Sequence, residues 1–255
     1  LCSKYDFSIS LTTGETEAEC FDDVVKMVRG KRVDGMIVLY SKENDPVVPY
    51  LIDSGIPFVM VGKPIEQANK ITYIDNDNVA AAEEATNYLF ELGHEKIGFI
   101  GEGTEFEVGQ ARLNGYLQSL KKREISMQED YIHNIRFNIE EGRQAVKRLL
   151  EIEEPPTGLV IVNDFNALIM LTALQEKGIA VPEDMSLITF NNSAIAKVTN
   201  PALTTIDTQI FQLGYEAANS LIELINESTT FVKRIIIPST IIERSSCRLV
   251  VANHK

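Results

Sequence analysis

The sequence predicts an α/β fold built on parallel sheets. Short apolar runs rich in β-branched residues recur along the chain, and segments with helical periodicity lie between them, as in βαβ units. The runs are continuously apolar instead of alternating, which indicates strands covered on both faces and therefore a parallel sheet. We expect strands at 8–11, 35–40, 58–61, 71–74, 96–101, 130–135, 158–162 and 186–190.

The helix that the sequence defines best occupies residues 78–93. Asp77 is the expected N-cap, and Gly93 is the expected C-terminal stop. Its apolar face is formed by Val79, Ala82, Ala85, Leu89 and Leu92. The chain then passes through a strand and a glycine turn into a second expected helix near 108–123.

The C-terminal part follows a different pattern from the middle of the chain. An amphipathic helix is expected at 212–226, and two strands are expected at 233–238 and 239–245. The length of 255 residues suits one large α/β domain or two lobes. A tail that returns to complete an earlier lobe explains the change of pattern economically.

Charge and composition exclude several classes of function. The net charge of −13 repels nucleic-acid phosphates and anionic membranes, so any contact with DNA requires another domain. No apolar run approaches the ~20 residues of a membrane span. The first residue is Leu, and we expect the chain to be a fragment. Three widely spaced cysteines fit a reducing compartment, and we interpret the thiols as structural or incidental: Cys2, Cys20 and Cys247.

No catalytic, metal or cofactor motif stands out. Residues 101–106 lack the third Gly of a dinucleotide fingerprint and the Lys-Ser/Thr of a P-loop, so a tight turn is favoured there. The histidines, His94, His133 and His254, have no metal-ligand spacing, and we expect His94 to have a surface or capping role. Among 37 carboxylates no pair is distinctive. We therefore expect no enzyme, no metal and no cofactor.

Polar residues follow two of the predicted strands. Ligands of open parallel sheets bind outside the carboxyl ends of the strands. Asn163 and Asp164 follow one apolar run, and Asn191 and Asn192 follow the next. Helix capping and turn formation are the alternative, but recurrence at successive strand ends favours binding.

Phe137 is also a candidate. It precedes an expected capping box at 138–141, where it would normally act as a hydrophobic staple. Its staple partner would be Gly142, which has no side chain, so Phe137 is free to face a ligand.

Arg112 lies near the start of a helix, against the helix macrodipole, and such exceptions often mark functional sites. The alternative is a surface cation paired with Glu105 or Glu107. Tyr73 ends an earlier run and is equally compatible with core packing.

These candidates form a mixed set of amides, a guanidinium, carboxylates and aromatic rings. Planar polar groups suit the vicinal hydroxyls of a sugar, and an aromatic ring suits its C–H face. The set therefore favours a sugar-like polyol as the ligand.

Longer segments resemble the effector-binding core of the LacI/GalR family of bacterial transcription regulators. The most specific are the Asp-Asn helix start with LGHEKIGFIG, and the later ALTT and ERSS signatures. The similar segments extend over nearly the whole chain: 31–39, 55–62, 74–101, Arg112 with 115–116, 156–164, 181–192, 200–207 and 241–246.

The resemblance implies two Rossmann-like lobes with parallel sheets, joined by three crossover strands, as in type I periplasmic-binding-protein-like folds. The crossings would lie near 74–77, 205–210 and 238–240. The N-terminal lobe would comprise 1–74 and 208–238, without the family's first βα unit. The C-terminal lobe would comprise 75–207 and 239–255.

The family's ligand-binding positions match Tyr73, Arg112, Phe137, Asn163 and Asn191, with Phe165 and Gly62 flanking them. Many relatives have Asp at the position of Asn191, and some have Asp at Gly62. An amide both donates and accepts, so Asn191 remains suited to hydroxyls.

The resemblance implies a cytoplasmic repressor that binds a sugar between its lobes and controls operator DNA through a missing helix-turn-helix domain. GK at 62–63 and IDNDN at 74–78 resemble maltose-operon repressors, which implies maltose or a related α-glucoside. A homodimer is also implied, without membrane contact. The helix at 167–174 is apolar on nearly every side, as expected if one face meets a second subunit; complete burial within the chain is the alternative. The alternative function is a monomeric periplasmic sugar-binding protein of a transporter.

Overall fold

The structure, a computed structural model, describes residues 6–103, 105–227 and 231–250. The chain divides into two compact units. Unit 1 comprises Leu1–Asp75 and Phe211–Ile237, and unit 2 comprises Asn76–Ile210 and Pro238–Lys255. The chain passes from one unit to the other three times, so neither unit is continuous in sequence.

The helices and strands follow one another in the order α1 (Glu17–Arg29), β1 (Met36–Val38), α2 (Val47–Ser54), β2 (Phe58–Val61), β3 (Thr72–Asn76), α3 (Asn78–Glu91), β4 (Ile97–Gly101), α4 (Glu107–Lys122), a 3₁₀ turn (Glu129–Tyr131), β5 (Ile132–Asn134), α5 (Ile139–Glu151), β6 (Gly158–Ile161), α6 (Asp164–Glu176), β7 (Ser186–Phe190), α7 (Ala194–Val198), β8 (Thr204–Asp207), α8 (Ile210–Ile225), β9 (Arg234–Ile237) and β10 (Thr240–Ile242).

Unit 1 contains a four-stranded sheet in the order β1-β2-β3-β9, in which β1, β2 and β3 pair in parallel. Alternate strand residues point to opposite faces. Met60 and Tyr73 pack against α1 and α2 on one face. Val59 and Ile74 pack against α8 on the other face.

Unit 2 contains a six-stranded sheet in the order β10-β8-β7-β6-β4-β5. All its pairs are parallel except β10 with β8. Phe99 and Val160 face the side covered by α3 and α4, whereas Ile100 and Ile161 face the side covered by α5 and α6. Burial on both faces explains the continuous apolar runs, and the predicted α/β class with parallel sheets is confirmed.

The predicted strand at residues 8–11 is wrong. Ile9 and Leu11 are exposed, and no strand of the described residues pairs with this segment. Local β propensity does not suffice, because a strand needs a hydrogen-bonding neighbour. The other predicted strands are present, with shifts at their ends.

The predicted helix ends agree with the structure at α3. The Asp77 carboxylate accepts from the backbone N–H of Ala80 at 3.0 Å, and Gly93 follows the helix with φ +86°. At α5 the prediction is correct only in part. Asn138 is the N-cap, but Glu141 accepts from the N–H of Arg136 at 2.7 Å instead of completing a capping box.

His94 does not have the predicted surface role. It is 3% exposed, and its Nδ1 lies 2.9 Å from the Thr157 hydroxyl oxygen. Gly93 has a left-handed backbone that reverses the chain before His94. The C-terminal segment packs at this turn, where the Val250 N–H donates to the Leu92 carbonyl. Burial lowers the pKa of His94, and burial likewise lowers the pKa of His133. His254 lies outside the described residues.

The apolar helix at 167–174 is explained by packing within unit 2. All its residues are buried except Leu168 and Thr172, which are half-buried. Gly142 of α5 makes room for Ile169, since a Cβ there would lie 2.4 Å from the Ile169 Cγ2 atom. The expectation that this helix reserves a face for a second subunit is therefore not needed to explain its apolarity.

Two thiols lie in the described residues, and both are free. Cys20 and Cys247 are half-buried, and burial raises the pKa of Cys247 to about 12, which makes it a weak nucleophile. Cys2 lies outside the described residues. None of the helices in residues 6–103, 105–227 and 231–250 is both long and apolar enough to span a membrane.

Gly115 sets the close packing of α4 on α3. A Cβ at this position would lie 2.2 Å from the Val79 carbonyl oxygen and 2.8 Å from the Ala82 Cβ. Gly115→Ala should therefore destabilise the protein by about 1–3 kcal/mol through overpacking. Gly214→Ala is the matched control, because a Cβ there meets nothing within 4 Å, and it should stabilise α8 by about 0.5–1 kcal/mol. Equal melting temperatures for the two variants in thermal denaturation would contradict this packing.

Stability should also fall on mild acidification. Because the pKa of His94 is lowered in the folded state, the unfolded chain takes up its proton first as the pH falls below about 6.5. His94→Asn keeps a polar atom near Thr157 but does not titrate. Melting curves between about pH 7.5 and 5.5 should show a smaller loss of stability for this variant than for the wild type. Parallel pH profiles would show that His94 is not the titrating group.

Candidate functional site

Polar residues that follow neighbouring strands of unit 2 lie at one edge of its sheet. Glu102 follows β4, Asn163 follows β6 and Asn191 follows β7, and these strands are adjacent in the order β7-β6-β4. This is the edge where ligands of parallel sheets bind. With Arg112, they form what we call the strand-end cluster.

Arg112 is the most constrained member of the strand-end cluster. Its Nε donates to Asn78 Oδ1 at 3.0 Å, and its Nη1 donates to the Val162 carbonyl at 2.5 Å. The guanidinium carbon lies 4.3 Å from the centre of the Phe190 ring, and the residue is 5% exposed. The alternative of a surface cation is therefore wrong, because the side chain is buried.

Asn163 has two roles at once. Its Oδ1 accepts from the backbone N–H of Asn166 at 2.8 Å and caps α6, as the structural alternative proposed. Its Nδ2 donates to Glu102 Oε2 at 2.9 Å, so the same side chain also points into the strand-end cluster. Capping holds this amide in place.

Glu102 is a cluster residue that the sequence reasoning missed. Burial raises the pKa of its carboxyl, while Arg112 and the bond from Asn163 act in the opposite direction. The signal was present, because Glu102 directly follows an apolar run. The glycines on either side of Glu102 predict a tight turn, and a turn alone does not indicate a binding residue.

The corner that carries Asn191 has a left-handed backbone. Asn191 has φ +101° and Asn192 has φ +52°, a region that asparagine tolerates better than most residues. The Asn192 Oδ1 accepts from Arg244 Nη2 at 2.5 Å, and the Asn192 Nδ2 donates to Asp207 Oδ2 at 3.1 Å. Asn192 therefore stabilises the corner, whereas Asn191 contacts the Thr208 hydroxyl at 3.4 Å.

Asp164 supports the same corner from α6. It is buried and accepts from the Ser193 N–H at 2.7 Å and from the Thr205 hydroxyl at 3.2 Å. Turn stabilisation therefore accounts for Asp164 without a ligand, and Asn191 remains the candidate for ligand binding at this corner.

An exposed aromatic pair also belongs to unit 2. The Phe137 and Phe165 rings meet edge to face with their centres 5.4 Å apart. They remain 59% and 44% exposed, which is unusual for two phenyl rings in contact. Phe137 also has φ +51°, and Gly142 offers it no staple contact.

The two predicted residues of unit 1 have different settings. Tyr73 is buried in the core with Met60, which agrees with the core-packing alternative. Gly62 has φ +104° and follows β2, and its N–H donates to the Ile74 carbonyl at 2.8 Å. A cavity of about 510 Å³ opens in unit 1 between residues 41–45 and 64–67.

In the part of the chain that the structure describes, no group of three or more His, Cys, Asp or Glu side chains is arranged to hold a metal ion. The site instead offers hydrogen-bonding groups held by the fold and an apolar surface. Such an arrangement suits recognition of a small polar molecule.

Comparison with known proteins agrees with this description. Residues 86–247 match the periplasmic binding protein-like domain family. The transcriptional regulator MalR of Staphylococcus xylosus is 32% identical over 245 residues, which are 96% of this chain and 72% of that protein.

Two solved structures of regulators share the fold. A LacI transcriptional regulator from Bacillus cereus subsp. cytotoxis is 41% identical with a TM-score of 0.94, over 98% of this chain and 89% of that one. The complex of the regulator CelR with cellobiose is 27% identical with a TM-score of 0.89, over 96% of this chain and 75% of that one. The chain therefore belongs to the LacI/GalR family of transcription regulators and contains the effector-binding domain of such a repressor.

Proposed function

We propose that this chain senses a sugar, maltose or a related α-glucoside, and that sugar binding controls operator DNA binding by a helix-turn-helix domain outside these residues. The observation that carries the proposal is the strand-end cluster beside an exposed aromatic pair. A fixed guanidinium, amides and a carboxylate lie at the carboxyl edge of a parallel sheet. The family membership supplies the regulatory context.

The chemistry of the cluster supports a sugar. Neighbouring hydroxyls both donate and accept, and they match Asn163 and Asn191 amides and the Glu102 carboxylate. Phe137 and Phe165 offer an apolar surface to the C–H face of a sugar ring. Each buried hydroxyl left without a partner costs about 1–3 kcal/mol, so a site of this kind discriminates among polyols.

The choice of maltose has two supports. GK at 62–63 and IDNDN at 74–78 resemble maltose-operon repressors. The related regulator CelR has been solved with cellobiose, which, like maltose, is a disaccharide of glucose. We therefore expect a glucose disaccharide as the effector, with the α-linkage favoured.

The proposed signal passes through the segments that leave and re-enter unit 2. The Asn76 side chain donates to the Thr208 carbonyl at 3.1 Å, and Gln209 donates to the Pro238 carbonyl at 2.8 Å. These bonds connect the three segments at which the chain leaves or enters the unit. A ligand shifts a conformational equilibrium only through different affinities for the two states, typically about 1–3 kcal/mol of coupling.

The proposal also includes two residues of unit 1, the cellular location and the oligomeric state. Tyr73 and Gly62 are proposed to contribute to effector binding from the N-terminal lobe. A cytoplasmic homodimer is proposed because operator half-sites and DNA-binding heads come in pairs. A periplasmic sugar-binding protein is not favoured, since the relatives that match along 96–98% of the chain are transcription regulators.

Phe137→Ala is the cleanest test of the aromatic surface. We expect about tenfold weaker maltose binding by isothermal titration calorimetry, because the ring contact with the sugar is lost. The melting temperature should hardly change, since the ring is already 59% exposed. Arg112→Ala is less suitable, because it would leave the buried Val162 carbonyl and Asn78 oxygen without this donor.

Val198→Ala is the control for this experiment. Val198 is another exposed apolar residue of unit 2, at the end of α7. Its loss should leave maltose affinity unchanged. Equal affinities for Phe137→Ala and Val198→Ala would remove Phe137 from the site.

A further inference from the structure

Glu102 places a carboxylate inside the strand-end cluster. Its Oε2 accepts from Asn163 Nδ2 at 2.9 Å, and the side chain is half-buried beside the Arg112 charge. A carboxylate accepts hydrogen bonds but donates none, so it favours ligand groups that carry protons. Bonds from hydroxyls to an ionised acceptor are stronger than bonds between neutral groups.

The Arg112 cation is already engaged by the protein. Its Nε and Nη1 atoms bond Asn78 and Val162, and Phe190 lies against its guanidinium. Burial raises the pKa of the Glu102 carboxyl, and the nearby charge of Arg112 opposes that rise. The guanidinium is therefore held by protein groups at three places.

Two further cations of unit 2 are also bonded to protein groups. Arg136 forms an ion pair with Glu105 at 3.0 Å. Arg244 is directed to the Leu203 carbonyl at 2.7 Å and to the Asn192 side chain. These cations bind protein groups, so they do not favour a phosphate at this edge.

The N-terminus of α6 is the other feature of this edge that could attract an anion. A helix N-terminus normally attracts anions through its free N–H groups. Here the Asn166 N–H is bonded to Asn163, and the first residue of the helix is the buried acid Asp164. An anion added at this helix end would therefore lie close to an acidic residue.

We propose that Glu102 is a specificity-determining residue that makes the site select uncharged sugars and reject their phosphorylated forms. The inference rests on the proposed sugar-sensing function and specifies the class of sugar. A phosphate near Glu102 would face a like charge, and the nearby cations are already bonded to protein groups. A neutral disaccharide instead donates its hydroxyls to the same carboxylate.

The test compares neutral sugars with their phosphates by calorimetry on the whole chain. It is done at about pH 8, above the usual range of carboxyl pKa values, and at low ionic strength, where screening is weak. The pairs are maltose with maltose 6′-phosphate, and trehalose with trehalose 6-phosphate. The wild type should bind the neutral member of a pair at least about tenfold more tightly. Tighter binding of the phosphate would overturn the inference and leave sugar sensing intact.

Glu102→Gln removes the charge and keeps an oxygen that can accept from Asn163. The ratio of the Kd of the phosphate to the Kd of the neutral sugar should fall by about threefold or more. The variant can reach this by binding the neutral sugar more weakly, the phosphate more tightly, or both. Glu91→Gln makes the same change of net charge on an exposed residue at the far end of α3 from Asn78, and its preference should equal that of the wild type. Equal preferences for Glu102→Gln and the wild type would sink the inference. Failure of both members of every pair to bind the wild type would instead reject the sugar function itself, and the inference with it.

Discussion

The site of unit 2 depends on one buried cation. Arg112 extends from α4 to the Asn78 side chain at the start of α3 and to the Val162 carbonyl at the end of β6, with Phe190 of β7 against its face. A buried charge is tolerated only when it is hydrogen-bonded. The buried position of Arg112 therefore depends on all of these contacts together. Through them one side chain fixes the positions of two helices and the ends of two strands.

The rest of the strand-end cluster is built around that constraint. Gly115 allows α4 to approach α3 closely, in the same helix pair that Arg112 bonds across. Asn163 caps α6 with its oxygen and keeps its nitrogen directed at Glu102. Asp164 holds the left-handed corner that presents Asn191. Structural bonds therefore orient the groups proposed to bind the ligand, and such pre-organisation lowers the cost of binding.

Sequence reasoning predicted the features that depend on neighbouring residues. Continuous apolar runs predicted the buried parallel strands, and Asp77 and Gly93 marked the ends of α3. The features it missed depend on distant contacts. The segment predicted as a strand at 8–11 has no hydrogen-bonding neighbour among the described residues. His94 is buried, and the C-terminal segment is bonded to the adjacent turn at Leu92. No local pattern reports either condition.

In the candidate site, too, the features set by neighbouring residues were predictable and those set by distant contacts were not. Arg112 was identified from its unfavourable place in a helix, but its partners lie 34 and 50 residues away in sequence, so its burial was not foreseen. Glu102 also follows a strand, but the glycines on either side of it predict only a turn. The rule that ligands bind at the carboxyl ends of parallel strands, applied to every strand, would have found it.

The most direct test of the proposed sugar site is a crystal structure of the chain grown with maltose. The account predicts a sugar whose hydroxyls lie within hydrogen-bonding distance of Glu102 and Asn163 and whose ring contacts Phe137 or Phe165. A sugar bound without touching these residues, or an occupied site with the Arg112 guanidinium displaced from Asn78 and Val162, would contradict it.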